Sequence, residues 1–315
     1  MNAVIKGIGA ALPKKCIKNS DLPESLDTSD EWITTRTGIK QRYIVESETT
    51  ASLATEASKN ALDHAGILAN EIDLIIVGTV TGDYTFPSVA TFVQKNLGIK
   101  SATAFDVNAA CCGFLYALDI ANSFIKSGKS KCAIVIGSDT FSKILDWRDR
   151  SSCVLFGDGA GAVVLQARDV SNKGIVYCQT YADGAFTDYL MTTGGISTTQ
   201  NAGFVKMLGR EVFKFSVEKF YESLMKLLED NGMSLANVDL LVPHQANCRI
   251  IKALIEKSGI DENKVLLTID KHSNTSAGTI PLALNEVKNK IFSMENVVLL
   301  SMGAGFTWGS ALIKF

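Results

Sequence analysis

Two stretches, HAGILANEIDLIIV at residues 64–77 and DNGMSLANVDLLVP at residues 230–243, share one pattern. Each has a glycine seven residues before an aspartate. In each, a helical stretch ends at the glycine, and a short run of branched apolar residues lies beside the aspartate. That order is typical of a helix, a loop and a buried strand. The repeat predicts that the chain contains two similar α/β halves.

A second pair of stretches supports the duplication. FGDGAGAVVL at residues 156–165 is echoed by FTWGSALIKF at residues 306–315, each with a Phe-x-x-Gly turn that runs into a terminal strand. Both pairs occur in the same order along the chain. We therefore expect one half over residues 1–168 and the other over 169–315. The alternative is a chance likeness between two helix–loop–strand units.

The rest of the chain alternates in the same way between strand-like and helical stretches. The strand-like runs are IDLIIVGTV (72–80), CAIVIGSD (132–139), VDLLVP (238–243) and NVVLLSMG (296–303). The helical runs include ASLATEASKNALDHAG (51–66) and EVFKFSVEKFYESLMKLLEDNG (211–232), each ending at glycine. This alternation predicts an α/β protein whose helices pack on its sheets.

Composition excludes several classes of protein. Of 315 residues, 46% are hydrophobic and 20% are charged, and the net charge is −2 without a basic stripe, so we expect no nucleic-acid partner. No apolar run approaches the roughly 18 residues that span a bilayer, so we expect no membrane segment. The N-terminal MNAVIKGIGAALP predicts a first strand rather than a signal peptide.

The seven cysteines are irregularly spaced and include no Cys-x-x-Cys pair. This spacing argues against a disulfide framework and against a metal site. It favours a protein of the reducing cytoplasm, in which most of the thiols are buried packing residues.

One pair of cysteines lies where a nucleophile could form. In FDVNAACCGFLYAL (105–118), Cys111 and Cys112 follow an apolar run and precede a helical pattern. A helix N-terminus stabilises a thiolate through its free N–H groups and its dipole. From these residues alone, two buried structural thiols remain an alternative.

Two further stretches carry polar residues suited to a site. LVPHQAN (241–247) places His244 just after a strand, where α/β enzymes hold their active sites. DKHSNTSAGTIP (270–281) carries His272 and Asn274 and leads into a helix.

Six motifs together resemble β-ketoacyl-acyl carrier protein synthase III, a family of the thiolase superfamily. They are DTSDEWITTRTGIKQRYI (27–44), AACCGF (109–114), FGDGAGA (156–162), VPHQAN (242–247), HSNTSA (272–277) and GAGFTWGSAL (303–312). The resemblance covers the chain from end to end. It implies a thiolase-like fold in which two duplicated α/β halves form a layered αβαβα core.

The resemblance also implies roles for the candidate residues. The family's nucleophile stands in a Cys-x-Gly-Phe pattern, which makes Cys111 the nucleophile and Cys112 its variable neighbour. His244 and Asn274 complete the Cys-His-Asn set, and His272 lies outside it. An asparagine in this set is typical of the synthases that start from acyl-CoA, because the elongating synthases have a second histidine there.

The implied reaction has two halves. The Cys111 thiolate attacks an acyl-CoA thioester, and the oxyanion is held by the backbone N–H groups of Cys111 and Ala304. Malonyl-acyl carrier protein then loses CO₂, and His244 and Asn274 donate hydrogen bonds to the resulting enolate. The family needs no cofactor besides its acyl-CoA substrate and no metal.

Substrate and partner contacts follow from the same matching. The CoA-binding positions are Thr28, Trp32, Arg36, Arg150 and Asn247, and the carrier-protein docking positions are Lys214 and Arg249. Phe86 matches the residue that reaches across a homodimer to line the partner's acyl pocket. Without the resemblance, solvated ion pairs for the arginines and rim packing for Trp32 would be the simpler interpretations.

Departures from the family pattern leave the choice of primer open. Ala304 replaces the middle of three glycines, Met302 stands where phenylalanine is frequent, and Asn108, Cys112 and Arg148 are unusual near the pocket. The leading hypothesis is condensation of acetyl-CoA with malonyl-acyl carrier protein to begin fatty acid synthesis. The alternatives are a sister enzyme with another primer and a non-catalytic acyl-binding protein. Such a primer could be a branched or a longer acyl-CoA. It could also be of the glutaryl type used for biotin precursors, with the free carboxylate of the glutaryl group paired with Arg148. Transfer of the acyl group to an alcohol or amine, without decarboxylation, is a further variant.

Overall fold

The computed structural model describes all 315 residues and contains thirteen strands and ten helices. The strands are β1 (Asn2–Ala11), β2 (Lys15–Lys18), β3 (Gln41–Ile44), β4 (Leu74–Gly78), β5 (Thr103–Val107), β6 (Cys132–Thr140), β7 (Asp158–Arg168), β8 (Gly174–Ala182), β9 (Leu190–Thr192), β10 (Val205–Met207), β11 (Leu240–Pro243), β12 (Asn296–Gly303) and β13 (Thr307–Lys314). The helices are α1 (Asp30–Thr37), α2 (Thr50–Ala65), α3 (Val89–Asn96), α4 (Gly113–Lys126), α5 (Ile196–Thr199), α6 (Gly209–Asp230), α7 (Cys248–Ser258), α8 (Ile269–His272), α9 (Thr279–Glu286) and α10 (Lys288–Ile291).

Two large sheets have the same plan. The first has the strand order β1-β7-β6-β4-β5, and the second has the order β8-β13-β12-β11. A parallel bridge from Val265 to Leu241 extends the second sheet to a fifth position. Strands at matching positions also pair in the same direction, with two antiparallel pairs followed by parallel ones. The predicted duplication is therefore confirmed.

The helices complete a layered arrangement. Helices α2 and α3 cover the outer face of the first sheet, and α6 and α7 cover the outer face of the second. Helices α4 and α9 lie between the two sheets, in an apolar core that both sheets share. The order of layers is αβαβα, as the family resemblance implies.

Individual elements also agree with the sequence patterns. Strand β12 has the bounds that NVVLLSMG predicts, and α2 ends at Gly66, whose φ of 64° is the left-handed conformation of a helix C-cap. The N-terminal residues form β1, as expected. No helix combines the length and the apolar character needed to cross a membrane.

A close approach between α2 and β1 explains why glycine interrupts the first strand. A side-chain carbon added at Gly9 would lie 2.2 Å from the Ala61 nitrogen and 2.4 Å from the Ala57 oxygen. Only glycine lets the helix backbone lie this near to the strand.

Strand ends from both halves meet at the centre of the molecule. The turn Ala110–Cys112 joins β5 to α4, and His244 follows β11. The turn Ser276–Gly278 leads into α9 and packs against the Ala110–Cys112 turn. The fold thus brings residues far apart in sequence to one place between the sheets.

Candidate active site

Cys111 lies at the entry to α4, with only 6% of its surface exposed. Burial raises the pKa of its thiol to about 12, so the thiol is protonated in the resting protein. The carbonyl of Cys111 accepts a hydrogen bond of 3.1 Å from Ser301 Oγ, which fixes the turn. The neighbouring Cys112 has no exposed surface and lines neither cavity of the site.

His244 is buried just beyond the end of β11. Its Nδ1 lies 2.5 Å from Thr279 Oγ1, at the first residue of α9. Burial lowers the pKa of the imidazole to about 3, so the ring is neutral near pH 7. When the Thr279 hydroxyl donates to Nδ1, the proton sits on Nε2, which is then free to donate to a ligand.

Asn274 is held by both its backbone and its side chain. Its backbone N–H donates to Leu155 O, and its carbonyl accepts from Gly157 N–H, each at 3.0 Å. Its Oδ1 accepts a hydrogen bond of 2.9 Å from the Ser276 backbone N–H. The oxygen of the amide is therefore occupied, and the NH₂ group is left to donate.

These three side chains line one cavity of about 720 Å³. Gly303 lies beside them, and a side-chain carbon added there would be 2.7 Å from the Cys111 nitrogen. The same cavity is lined by six residues that the sequence assigns to CoA or to the carrier protein, namely Trp32, Arg36, Arg150, Lys214, Asn247 and Arg249. The cavity therefore unites most of the predicted site.

Trp32 and two arginines form a cationic and aromatic cluster in this cavity. The guanidinium carbons of Arg36 and Arg150 lie 4.8 and 5.4 Å from the centre of the Trp32 ring, within the range of a cation–π interaction. Arg150 also forms an ion pair of 3.0 Å with Asp27. Trp32 is the third residue of α1, whose first turn is capped by the Ser29 side chain.

A second cavity, of about 880 Å³, also reaches Cys111. Its apolar lining includes Phe141, Ile144 and Leu190, and Ala304 belongs to the lining as well. Asp106 is its only charged lining residue, and it has no lysine or arginine. This cavity is chemically suited to an uncharged apolar group.

Besides Cys112, four residues singled out in the sequence line neither cavity. Thr28 is half-buried, and its hydroxyl has no hydrogen-bond partner. Phe86 is 83% exposed in the loop between β4 and α3. Arg148 forms two hydrogen bonds of 2.9 and 3.0 Å with Asp146 and points into solvent. His272 is buried, and its Nε2 lies 3.5 Å from a Glu286 oxygen.

Sequence reasoning missed Thr279 and Ser276 as groups that orient His244 and Asn274. Both hydroxyl residues lie in the polar stretch 270–281, but nothing in the spacing shows which side chain they meet. No three His, Cys, Asp or Glu side chains lie together as a metal site would require.

Two family models match the chain. The model of 3-oxoacyl-[acyl-carrier-protein] synthase III matches residues 105–184, and the model of its C-terminal part matches residues 228–315. The β-ketoacyl-[acyl-carrier-protein] synthase III of Erythrobacter litoralis is 50% identical, with all of both chains covered. The enzyme of the same name from Rhizorhabdus wittichii is 48% identical over 99% of each chain.

Solved structures agree with the sequence comparisons. The crystal structure of 3-oxoacyl-[acyl-carrier-protein] synthase III from Aquifex aeolicus is 46% identical and superposes with a TM-score of 0.94. That match covers 99% of this chain and all of the other. With full-length identity near one half and a shared fold, this chain belongs to the β-ketoacyl-[acyl-carrier-protein] synthase III family of condensing acyltransferases.

Proposed function

We propose that this enzyme condenses acetyl-CoA with malonyl-acyl carrier protein and so begins fatty acid synthesis, with Cys111 as the nucleophile. The observation that carries the proposal is the shared cavity, on which Cys111, His244 and Asn274 meet the cluster of Trp32 and its arginines. A thiol, two neutral hydrogen-bond donors and a basic entrance are the parts that this chemistry needs.

In the first half-reaction, the Cys111 sulfur attacks the acetyl thioester and CoA leaves. The negative charge on the thioester oxygen is met by the backbone N–H groups of Cys111 and Ala304. Removing one such donor typically costs about 10²- to 10³-fold in rate. Alanine in place of glycine at position 304 keeps this N–H group.

In the second half-reaction, the malonyl thioester loses CO₂ and becomes an enolate, which attacks the acetyl group on Cys111. His244 Nε2 and the Asn274 amide donate hydrogen bonds to the enolate oxygen. Both groups are uncharged and already oriented by Thr279 and Ser276, so they need no rearrangement as charge develops.

The basic entrance of the cavity binds the two carriers. Trp32 stacks on the adenine of CoA with Arg36 and Arg150 around it. Asn247 contacts the rest of the CoA molecule from the lining of the cavity, and Thr28 does so from just outside that lining. Lys214 and Arg249 are exposed on the rim of the same cavity and meet the acidic carrier protein.

The lining of the second cavity favours a neutral primer. A glutaryl-type primer attached to Cys111 would carry its carboxylate, at the far end of the acyl chain, into this cavity, whose lining offers Asp106 and no cation. Arg148 is turned into solvent and paired with Asp146, so it does not supply that cation. Burying an unpaired carboxylate costs several kcal/mol, roughly, and would select against such a primer.

We also infer a homodimer in which Phe86 reaches the acyl cavity of the partner. Strand β5 is an edge of its sheet, and the loop that follows β4 exposes Tyr84 (66%) and Phe86 (83%). Tyr84 itself lines the second cavity. Large apolar side chains exposed beside an unpaired strand mark an association surface.

Two smaller assignments complete the proposal. We place the boundary between the halves at residues 168 and 169, in the loop between β7 and β8. We place the enzyme in the reducing cytoplasm, since all seven cysteines are free thiols. The reaction uses acyl-CoA as a substrate and needs no further cofactor.

The test is a condensation assay with malonyl-acyl carrier protein and a panel of acetyl-, isobutyryl-, octanoyl- and glutaryl-CoA. The products are measured by mass spectrometry of the carrier protein. We expect the highest kcat/KM with acetyl-CoA and the lowest with glutaryl-CoA. A preference for glutaryl-CoA, or no condensation with any primer, would contradict the proposal.

A further inference from the structure

A buried hydroxyl behind the nucleophile has no part in the reaction as described so far. Ser276 has no exposed surface, and its Oγ makes no hydrogen bond of acceptable length and angle. It lies beside both the Cys111 thiol and the Asp139 carboxyl, which are buried themselves. Buried polar atoms are nearly always paired in proteins, and the groups near enough to pair with this hydroxyl are the Cys111 thiol and the Asp139 carboxyl.

The two oxygens of the buried Asp139 carboxyl, on β6, accept unequal numbers of hydrogen bonds. Oδ1 accepts hydrogen bonds from Thr79 Oγ1 (3.0 Å), Val80 N (2.8 Å), Thr81 N (3.2 Å) and Thr81 Oγ1 (2.7 Å). Oδ2 accepts only one long bond, of 3.3 Å, from the backbone N–H of Ala277. The oxygen nearer to the Ser276 turn therefore has the capacity to take a proton.

The fold holds the Ser276 turn against both of its neighbours. Ser276 has a φ of 53°, a conformation that serine adopts only where its surroundings impose it. A side-chain carbon added at Gly137, on the strand that carries Asp139, would lie 2.1 Å from the Ala277 oxygen. The hydrogen bond from Ser276 N–H to Asn274 fixes the same turn.

Among the titratable groups near Cys111, Asp139 is the best acceptor for the thiol proton. The titratable groups that face Cys111 are Asp139, Cys112 and His244. Burial raises the pKa of Cys112 and lowers that of His244 to about 3, so neither is a useful base. Losing the proton to solvent would leave two buried anions, the Cys111 thiolate and the Asp139 carboxylate, which repel each other.

We propose that Ser276 relays the proton of the Cys111 thiol to Asp139 Oδ2 as the sulfur attacks the acyl-CoA. The S–H proton moves to Ser276 Oγ while the hydroxyl proton of Ser276 moves to Asp139. The buried site then carries one negative charge before and after the transfer.

In the remaining steps, each bond that forms replaces one that breaks, and the proton returns to the thiol. A bond forms between the Cys111 sulfur and the acyl carbon, the bond from that carbon to the CoA sulfur breaks, and CoA leaves as a thiolate that takes a proton from water. When the enolate later displaces Cys111, the two proton transfers run in reverse and restore the thiol. The inference rests on the proposed function, because it requires Cys111 to be the nucleophile.

The test measures single-turnover acetylation of Cys111 by acetyl-CoA between pH 6 and 9.5, with intact mass as the readout. The variant is Ser276→Ala, and Ser276→Gly, which suits the positive φ, guards against a folding defect. The matched control is Thr275→Val, which removes the neighbouring buried hydroxyl that also lacks a partner. We expect the wild-type and Thr275→Val rates to vary little with pH.

Without the Ser276 hydroxyl, the rate at pH 7 should fall by about 10²-fold, and it should rise steeply with pH as hydroxide takes over the proton. An unchanged rate, or a uniform fall with an unchanged pH profile, would overturn the relay. Wild-type protein that takes up no acetyl group on Cys111 would instead overturn the proposed function.

Discussion

Burial sets the protonation states at the level of single residues. The Cys111 thiol and the His244 ring are both enclosed, and exclusion of water raises the pKa of the first and lowers that of the second. Both groups are therefore neutral near pH 7. In the proposed mechanism, the neutral His244 ring donates a hydrogen bond to a charge that appears only during the reaction.

The low pKa of His244 has a consequence for stability. Its pKa lies near 6.5 in the unfolded chain and about 3 in the folded protein, so between these values the unfolded chain binds more protons. Stability linked to His244 is thus complete above pH 6.5 and is lost as the pH falls below it. Between pH 7.5 and pH 5, we expect the loss to be roughly 2 kcal/mol.

The measurement is urea unfolding at both pH values for wild type and His244→Asn. Between pH 7.5 and pH 5, the free energy of unfolding of the variant should fall less than that of the wild type, by roughly 2 kcal/mol. Equal losses in the two proteins would show that His244 is not buried in its neutral form.

Ser273 is strained in this structure. Its φ of 59° and ψ of −164° lie in a region that is essentially restricted to glycine, and the residue is buried. We expect Ser273→Gly to raise the free energy of unfolding by about 1 kcal/mol, since relief of strain exceeds the added freedom of the unfolded chain. The control is Ser127→Gly, at φ −79°, which should lower it slightly. Urea unfolding that finds Ser273→Gly less stable than wild type would refute the strain.

At the scale of elements, short turns carry the functional groups and longer elements hold the turns. Helix α1 presents Trp32 to the cavity from its first turn, while Arg150 comes from the loop after β6. Sequence motifs predicted both residues, but their contact depends on the packing of two separate segments. Spacing along the chain does not encode such a contact.

Helix α1 can be tested through its tryptophan. Trp32→Ala should raise the KM for acetyl-CoA about tenfold with little change in kcat, because a stacking contact remote from the reacting carbon binds ground state and transition state alike. Glu31→Ala, the exposed neighbour on the same helix, should leave both parameters unchanged. A fall in kcat without a change in KM would assign Trp32 to the chemical step instead.

At the scale of the whole molecule, the two duplicated sheets could be predicted from the sequence. Which side chains meet where the strand ends come together could be predicted only in part. The repeated stretches became β4 and β11 at matching sheet positions, because burial on both faces demands the same apolar run in each half. The link from His244 to Thr279 could not be predicted, since it depends on how α9 packs between the sheets.

The proposed dimer makes a prediction at this scale. Phe86→Asp places a charge in the exposed loop and should convert the enzyme to a monomer with at least tenfold lower acetylation, judged by sedimentation velocity and intact mass. The control is Leu68→Asp, at an exposed residue that precedes β4, which should leave the sedimentation and the acetylation rate unchanged. A Phe86→Asp protein that sediments as the wild type and keeps full activity would contradict this interface.

The identity of the nucleophile is the central claim, and peptide mapping after incubation with acetyl-CoA tests it most directly. We predict one acetyl group on Cys111, retained in Cys112→Ala and lost in Cys111→Ala. An acetyl group on Cys112, or no acetyl group on the wild-type protein, would contradict the account.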